Sequence, residues 1–226
     1  MACLYLVATP IGNLGDITLR ALEVLRSVDI IACEDTRHSL KLLTHYDIRK
    51  TLVPFHAHDE ERGAARILGF LAEGKEVAYM SDAGTPGLSD PGAFAVRKAR
   101  DAGFSVIPLP GASAFTALVS VAGAGGRSIL FEGFLSPKPG RRRARLAELL
   151  ARDEAFVVYE SPFRIGKLLA DIVSIDPDRL LCIGREMTKI HEEILSASAQ
   201  ALLERFGGEG EGRGEFSVLV GPGKMT

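Results

Sequence analysis

A loop rich in glycine, proline, aspartate and hydroxyl side chains follows an apolar strand-like run in the first half of the chain. It spans residues 81–92 and reads Ser-Asp-Ala-Gly-Thr-Pro-Gly-Leu-Ser-Asp-Pro-Gly. Gly84 and Gly87 can adopt positive φ and let a ligand approach the main chain, while the two prolines restrict the turn. Asp90 before Pro91 is typical of a helix N-cap followed by proline at the first helical position. The loop is therefore a candidate binding site, with a long structural turn as the alternative.

Two other loops of the same kind end apolar runs elsewhere in the first half. Residues 7–16 read Val-Ala-Thr-Pro-Ile-Gly-Asn-Leu-Gly-Asp, and residues 108–114 read Pro-Leu-Pro-Gly-Ala-Ser-Ala. The carboxyl ends of parallel strands meet at one edge of a sheet, and open α/β sheets bind ligands in the crevice beyond that edge. The three loops are therefore predicted to lie on one rim, which unrelated turns would not explain.

Strand and helix patterns alternate along the first half, which predicts a mostly parallel sheet covered by helices on both faces. A second series of strand patterns follows a glycine-rich stretch at residues 122–126. We therefore predict an α/β fold of two α/β domains, residues 1–121 and 127–226. The ten predicted strands are residues 4–8, 30–33, 52–55, 77–80, 106–109, 129–134, 156–159, 180–184, 193–196 and 216–220.

Apolar spacing and capping residues predict several helices between these strands. Leu19, Leu22 and Leu25 recur three residues apart, which favours an amphipathic helix. Ser161 followed by Pro162 is typical of a helix start. The glycine-rich residues 207–214 predict a mobile connection to the last strand. The apolar stripe of the helix after Pro162 consists of Ile165, Leu168, Leu169 and Ile172.

The composition is that of an ordinary globular protein, with 226 residues, 46% hydrophobic and 25% charged. No apolar run approaches the roughly 20 residues that span a bilayer, and the start lacks the charged region of a signal peptide, so we expect a cytoplasmic protein. The three cysteines, Cys3, Cys33 and Cys182, are not at metal-ligand spacing. They are expected to be buried free thiols, and no metal is expected.

A formal net charge of -2 gives no general attraction to nucleic acid, so RNA binding would need a local basic patch. One candidate patch contains Lys138, Arg141, Arg142, Arg143 and Arg145. Adjacent arginines suit phosphate contacts, but a run of charges is also typical of a solvated helix start.

Several well-known catalytic and nucleotide-binding motifs are absent. The chain contains no G-x-G-x-x-G, no G-x-x-x-x-G-K-[ST], no G-x-S-x-G and no H-E-x-x-H. The loops are therefore better suited to an uncharged or zwitterionic cofactor held by main-chain groups.

Six long segments carry a resemblance to a known family. They are residues 6–17, 33–39, 81–86, 131–135, 159–164 and 185–189. The chain resembles the tetrapyrrole methylase superfamily and, within it, the bacterial ribosomal RNA small subunit methyltransferase I family. The resemblance implies two α/β domains with S-adenosylmethionine in the cleft between them. It also implies 2′-O-methylation of a cytidine ribose in the decoding region of 16S rRNA, and a homodimer.

The resemblance implies a cofactor site made of the three loops together with residues of the second domain. Short side chains such as Asp82, Thr85 and Ser113 can bind the amino, carboxylate and ribose groups of the cofactor without a metal. Ser113 could equally be only a helix N-cap. The cofactor residues implied are Pro10, Ser81, Asp82, Ala83, Gly84, Thr85, Leu88, Ser113, Ala114, Glu160 and Ser161.

Methyl transfer is an in-line displacement that needs positioning and a general base. The candidate bases are Asp35 and Glu186, and Lys189 could bind a phosphate or stabilise a developing alkoxide. Alternatively, Asp35 and Arg37 form a structural ion pair and Lys189 is a solvated charge. The residues predicted to bind RNA are Arg37, Lys138, Arg141, Arg142 and Arg143.

Two other functions remain open at this point. The same fold and cofactor could act on a tetrapyrrole or another small molecule. A non-catalytic module that binds the cofactor or the ribosome would keep cofactor affinity without methyl transfer.

Overall fold

The computed structural model describes residues 2–123, 128–152, 154–208 and 213–223. The chain divides into two compact units, Met1–Ser113 and Ala114–Thr226. Each unit contains one five-stranded sheet with helices, so the predicted α/β fold is confirmed. All ten predicted strands are present, four of them with the predicted ends and the others with ends that differ by at most two residues.

The first unit alternates strands and helices along its whole length. Its strands are β1 (Cys3–Val7), β2 (Ile30–Cys33), β3 (Thr51–Pro54), β4 (Val77–Met80) and β5 (Ser105–Leu109). Its helices are α1 (Leu19–Ser27), α2 (Thr36–His45), α3 (Glu60–Ala72) and α4 (Gly92–Asp101), and a short 3-10 turn covers Leu14–Asp16.

All neighbouring strands of the first sheet are parallel, in the order β3-β2-β4-β1-β5. Side chains of a strand alternate between the two faces, and here both faces are buried. Ile31 and Met80 belong to the core that includes α1 and α2, whereas Ala32 and Tyr79 belong to the core that includes α3 and α4. The expected parallel sheet with two covered faces is therefore confirmed.

Two helix starts in the first unit differ from the sequence-based expectation. Leu19 is 79% exposed because α1 begins there, capped by the Thr18 hydroxyl, so the buried face starts with Ala21 and Leu22. Helix α4 begins at Gly92 with Pro91 as its N-cap residue, one position later than predicted.

The second unit begins with a helix and contains a mixed sheet. Its strands are β6 (Ile129–Phe134), β7 (Ala155–Glu160), β8 (Leu180–Arg185), β9 (Glu193–Ser198) and β10 (Phe216–Val220). Its helices are α5 (Ala114–Ala122), α6 (Pro139–Leu150), α7 (Ile165–Val173) and α8 (Ala199–Phe206).

The second sheet has the order β6-β7-β10-β8-β9, and only β6 and β7 are parallel neighbours. Strand β10 is antiparallel to both β7 and β8, and β9 is antiparallel to β8. Helices α6, α7 and α8 pack on one face in a single core, while α5 packs against β10 and β8. The predicted stripe of α7 is buried in that core, although the helix begins three residues after Pro162.

Parts of two predicted connections lie outside the described residues. These are residues 124–126 of the predicted linker and residues 209–212 of the glycine-rich segment. Helix α5 belongs to the second unit, whereas the predicted first domain ended at residue 121. The domain bounds 1–121 and 127–226 stay a prediction.

Two further expectations concern the cysteines and the membrane. The structure has Cys33 and Cys182 as buried free thiols, whereas Cys3 is partly exposed. Among the helices of the described residues, none combines the length and the apolar character that crossing a bilayer requires.

Candidate active site

The three glycine-rich loops follow β1, β4 and β5, which are neighbours in the first sheet. Because these strands are parallel, their loops emerge at the same carboxyl edge. Thr9 and Gly84 exchange two main-chain hydrogen bonds, with N–O distances of 2.9 and 3.0 Å. The predicted rim of three adjacent loops is therefore present in the structure.

Side-chain hydroxyl groups form hydrogen bonds within and between these loops. The buried Ser81 hydroxyl donates to the Gly84 carbonyl at 2.6 Å, and Thr9 Oγ1 donates to the Ser81 carbonyl at 3.0 Å. Thr85 Oγ1 donates to the Ala112 carbonyl, at 3.1 Å, in the loop after β5. Two of the predicted cofactor residues, Ser81 and Thr85, thus hold the loops in place. Sequence reasoning gave no role to Thr9, although it lies within the first loop.

Two glycines have the backbone conformation that the sequence predicted. Gly84 and Gly87 have φ of +80° and +83°, a region that L side chains rarely adopt. A Cβ placed on Gly84, which is buried, would make ordinary contacts with Ile11 Cγ2 at 3.5 Å and the Ala112 carbonyl oxygen at 3.8 Å, whereas Gly87 is exposed. These glycines therefore let the loop after β4 adopt turns in which an L side chain would be strained.

The predicted cofactor residues of the first unit are brought together on this rim. Pro10 and Ser81 are buried, Asp82, Thr85 and Leu88 are half-buried, and Ala83 is exposed. Ser113 is 8% exposed and directly precedes α5, which leaves both of its proposed roles open.

Asp35 is the N-cap residue of α2, immediately after β2. Its Oδ1 accepts hydrogen bonds from the main-chain N–H groups of Arg37, at 2.8 Å, and His38, at 3.4 Å. The Arg37 main-chain bond is the largest cause that lowers the pKa of Asp35. Its side chain is also 3.6 Å from Arg37 Nε, as the structural alternative predicted. The Asp35 N–H in turn donates to Asp82 Oδ1 at 3.1 Å, which links the ends of β2 and β4.

The second unit also gathers its predicted residues at one edge of its sheet. Glu160 and Arg185 end β7 and β8 and lie opposite the same residue of β10, Phe216. Glu160 is 3% exposed, and its Oε1 accepts from the Ser161 N–H and from Arg164 Nη2, both at 2.7 Å. Glu160 therefore shapes the turn after β7, and its role in cofactor binding stays a prediction.

Glu186 and Lys189 form a compact turn after β8. Glu186 Oε1 accepts from Lys189 Nζ at 2.9 Å and from the Glu215 N–H at 2.8 Å. Burial raises the pKa of Glu186, but the hydrogen bonds and the charge of Lys189 outweigh it and lower the pKa. Lys189 also contacts the Glu215 carboxylate at 2.8 Å and is only 30% exposed, so it is not the solvated charge of the alternative.

This turn depends on backbone conformations that few residues adopt. Glu186 and Thr188 have φ of 49° and 66°, and Gly214 has φ of 99°. A Cβ on Gly214 would lie 2.5 Å from Glu186 Cγ, so only glycine leaves room for that side chain. The catalytic roles of Asp35, Glu186 and Lys189 stay a prediction.

The predicted RNA-binding patch requires one correction, at Arg142. Arg142 is 4% exposed, and its Nε lies 2.7 Å from Asp171 Oδ2 in the core between α6 and α7. Arg142 and Asp171 therefore form a structural ion pair, and the buried guanidinium of Arg142 is not accessible to a phosphate. Arg143 is 66% exposed and bonds to the same carboxylate, whereas Lys138 and Arg141 are exposed. Arg37, at 91% exposure, also remains available to a ligand.

The rim offers main-chain groups, hydroxyls and carboxylates but no arrangement of metal ligands. No group of three His, Cys, Asp or Glu side chains among the described residues could hold a metal ion. The chemistry that this arrangement supports is the binding of a polar organic cofactor beside carboxylates that can exchange a proton.

The fold is shared with solved methyltransferase structures. The structure titled methyltransferase CobJ matches with a TM-score of 0.74 at 21% identity, covering 98% of this chain and 95% of that one. Uroporphyrin-III-C-methyltransferase from Thermus thermophilus matches with a TM-score of 0.68 at 22% identity, covering 98% and 94%. At these identities the likeness establishes the fold alone.

Comparison by sequence establishes the family. The family described as Tetrapyrrole (Corrin/Porphyrin) Methylases matches residues 3–203. Ribosomal RNA small subunit methyltransferase I of Borrelia garinii subsp. bavariensis is 48% identical over 218 residues, covering 96% of this chain and 97% of that protein. The protein of the same name from Bacillus subtilis is 40% identical over 220 residues, covering 97% and 75%. The chain therefore belongs to the tetrapyrrole methylases and, within them, to the ribosomal RNA small subunit methyltransferase I family.

Proposed function

We propose that this protein transfers a methyl group from S-adenosylmethionine to the 2′-oxygen of a cytidine ribose in the decoding region of 16S rRNA. The observation that carries the proposal is the rim of three linked loops after β1, β4 and β5, in a chain whose relatives are named for methylation of small-subunit rRNA. Glycines with positive φ and short hydroxyls in these loops suit a cofactor held by main-chain groups.

The cofactor would be held in the first unit by the predicted residues of the rim. Asp82 and Thr85 place partly exposed polar side chains there, and Gly87 of the same loop is exposed. Bound in this place, S-adenosylmethionine supplies a methyl group activated by a positively charged sulfur. The residues of the chain would bind and orient the ribose hydroxyl and take up its proton, because positioning and a base are what such a displacement needs.

Transfer of radiolabelled methyl from S-adenosylmethionine to small ribosomal subunits that lack the modification tests the proposal. Label on a decoding-region ribose is the expected result, and mapping of the nucleotide and the modified atom identifies the site. Cofactor binding without labelled RNA would contradict the proposal. Label on a tetrapyrrole in a parallel assay would then favour a small-molecule acceptor, and no label at all a non-catalytic module.

The basic residues at the start of α6 are proposed to contact RNA phosphates. Replacing Lys138 and Arg141 by alanine should weaken RNA binding and make its salt dependence shallower, with the slope of log K against log salt reduced by about 1 for each phosphate that is no longer neutralised. Binding is measured over a range of salt concentrations, and cofactor affinity should stay unchanged. A matched double variant, Lys98→Ala with Arg100→Ala, removes two exposed charges from the last turn of α4. Equal losses in the two double variants would argue against a defined patch.

We also propose a cytoplasmic homodimer, on the basis of the resemblance to the superfamily. Light scattering on the purified protein should give twice the mass of one chain. A monomer mass at working concentration would contradict this part of the proposal.

A further inference from the structure

A group of acidic side chains lies at the carboxyl edge of the first sheet, beside the loop after β4. Glu34 directly follows β2, and Asp82 and Asp90 belong to the loop between β4 and α4. Because β2 pairs with β4, Glu34 and Asp82 come from adjacent strand ends, whereas Asp90 lies near the end of the loop, before α4. The hydrogen bond from the Asp35 N–H to Asp82 Oδ1 holds the two ends together.

A buried tyrosine lies in β4, the strand that leads into the loop of this group. Tyr79, in β4, is 0% exposed, and its hydroxyl has no hydrogen-bond partner among the described residues. Its ring packs edge-on against Phe55, at 5.3 Å between centroids. Burial, and then the charges of Asp90, Glu34 and Asp82, raise the pKa of Tyr79 above its ordinary value, so the phenol stays protonated. Tyr79 is thus a buried phenol whose pKa is influenced by the charges of these three carboxylates.

The two carboxylate oxygens of Asp90 have different surroundings. Its Oδ1 accepts from the N–H groups of Gly87, at 2.5 Å, and Gly92, at 2.7 Å, and so holds the end of the loop. Its Oδ2 is buried without a partner within the described part of the chain. Asp90 is therefore occupied in structure and cannot turn toward a substrate.

Glu34 is the member of the group that remains available. Its side chain is partly exposed and makes no hydrogen bond or ion pair to a described residue. Burial, and then the charges of Asp82 and Asp90, raise the pKa of Glu34, while the nearby His56 acts in the opposite direction. A carboxylate whose charge is poorly stabilised accepts a proton more readily than one that is hydrogen-bonded.

Asp35, the neighbouring candidate, has the opposite properties. Its carboxylate caps α2 through two main-chain N–H groups, and these bonds stabilise the charged form. To accept a proton, Asp35 would have to weaken the cap of the helix. Asp35 therefore has a structural role as a helix cap, whereas the carboxylate of Glu34 is available to accept a proton.

We propose that Glu34, and not Asp35, accepts the proton from the ribose hydroxyl during methyl transfer, an assignment that rests on the proposed function. The ribose oxygen forms a bond to the methyl carbon of the sulfonium donor. The carbon–sulfur bond breaks and leaves its electron pair on sulfur, and the hydroxyl proton moves to a Glu34 carboxylate oxygen. Asp82 acts as a positioning residue, because it fixes the main chain next to Glu34.

The variant Glu34→Gln, which keeps the shape of the side chain, tests this assignment. The turnover rate should fall by about 10²-fold, the lower end of what a general base contributes. KM for the RNA and cofactor affinity, measured by calorimetry, should stay unchanged. The wild-type rate should rise with pH as Glu34 loses its proton, and this rise should be missing in the variant. Glu23→Gln, an exposed change of the same kind on α1, is the control and should keep the wild-type rate.

A second readout does not depend on turnover. In protein labelled with carbon-13 at the glutamate carboxyls, one resonance should titrate at higher pH than exposed glutamates do, and Glu34→Gln should remove it. Asp35→Asn should lower the rate less than Glu34→Gln does. A Glu34→Gln variant within about threefold of the wild-type rate, or a larger loss from Asp35→Asn, would overturn the assignment alone. Wild-type protein that transfers no methyl to RNA would overturn the proposed function and this assignment together.

Discussion

Replacing Asp171 by alanine should lower the free energy of unfolding by about 3–5 kcal/mol, because it leaves the Arg142 guanidinium buried without its counter-ion. Asp171 is 3% exposed and Arg142 4%, and their atoms lie 2.7 Å apart. For a protein of this size the loss corresponds to a fall in melting temperature of about 10 °C. Urea and thermal unfolding followed by circular dichroism measure both quantities.

Arg143 provides the matched control for this prediction. Its Nε also lies 2.7 Å from the Asp171 carboxylate, but its side chain is 66% exposed. Arg143→Ala should therefore cost no more than about 1 kcal/mol, as exposed ion pairs do. The double variant Arg142→Met with Asp171→Leu should recover most of the stability, since no charge is left buried. A loss below about 1 kcal/mol in Asp171→Ala would contradict the structural assignment of Arg142.

Replacing Gly84 by valine should weaken cofactor binding by about 10²-fold, or about 3 kcal/mol. Gly84 has φ of +80° and exchanges two main-chain hydrogen bonds with Thr9. A β-branched residue is strained in this conformation, so the loop must move away from the neighbouring one. Gly84→Ala should give a smaller loss, because its Cβ would make only ordinary van der Waals contacts and mainly the backbone conformation is unfavourable. Calorimetric titration with S-adenosylmethionine measures the affinity of each variant.

A valine substitution at Gly103 is the control that distinguishes the effect of backbone strain from the loss of the cofactor site. It has φ of +82°, follows α4, and has no atom within 4 Å of an added Cβ. Gly103→Val should lower stability through the same kind of strain but leave cofactor affinity unchanged. Equal losses of affinity in both valine variants, or full affinity in Gly84→Val, would show that the rim after β4 does not hold the cofactor.

Much of the fold can be predicted from local sequence patterns, and the reasons are physical. Buried parallel strands are continuous apolar runs such as residues 77–80, and glycine with proline marks where they end. Strand order and direction in the second unit are not visible in such runs. Strand β10 lies antiparallel between β7 and β8, where it pairs with residues that are distant in the sequence. Local sequence patterns do not indicate such pairings.

The same limit applies to individual charged residues of the site. Arg142 belongs to a basic run that looks solvated, and its burial depends on Asp171, which is 29 positions away. Glu34 and Asp35 are adjacent carboxylates at one strand end; of the two, only Asp35 is proposed from the sequence as a candidate base, and Glu34 is given no role. Their difference in pKa comes from the burial of Glu34 and then the charges of Asp82 and Asp90, which raise its pKa, and from the helix that Asp35 caps. Glu34 could have been noticed only as a second carboxylate at that strand end.

The central position of β10 affects how the second unit can form during synthesis. Before residues 216–220 are available, the chain can pair β6 with β7 and β8 with β9, but no described strand joins the two pairs. Each pair then has an unsatisfied edge where β10 will lie, and such edges favour association with other chains. The first unit has no such delay, because its last strand, β5, ends at Leu109. A nascent chain thus holds a complete first sheet, with its glycine-rich rim, while the second sheet is still two separate ribbons.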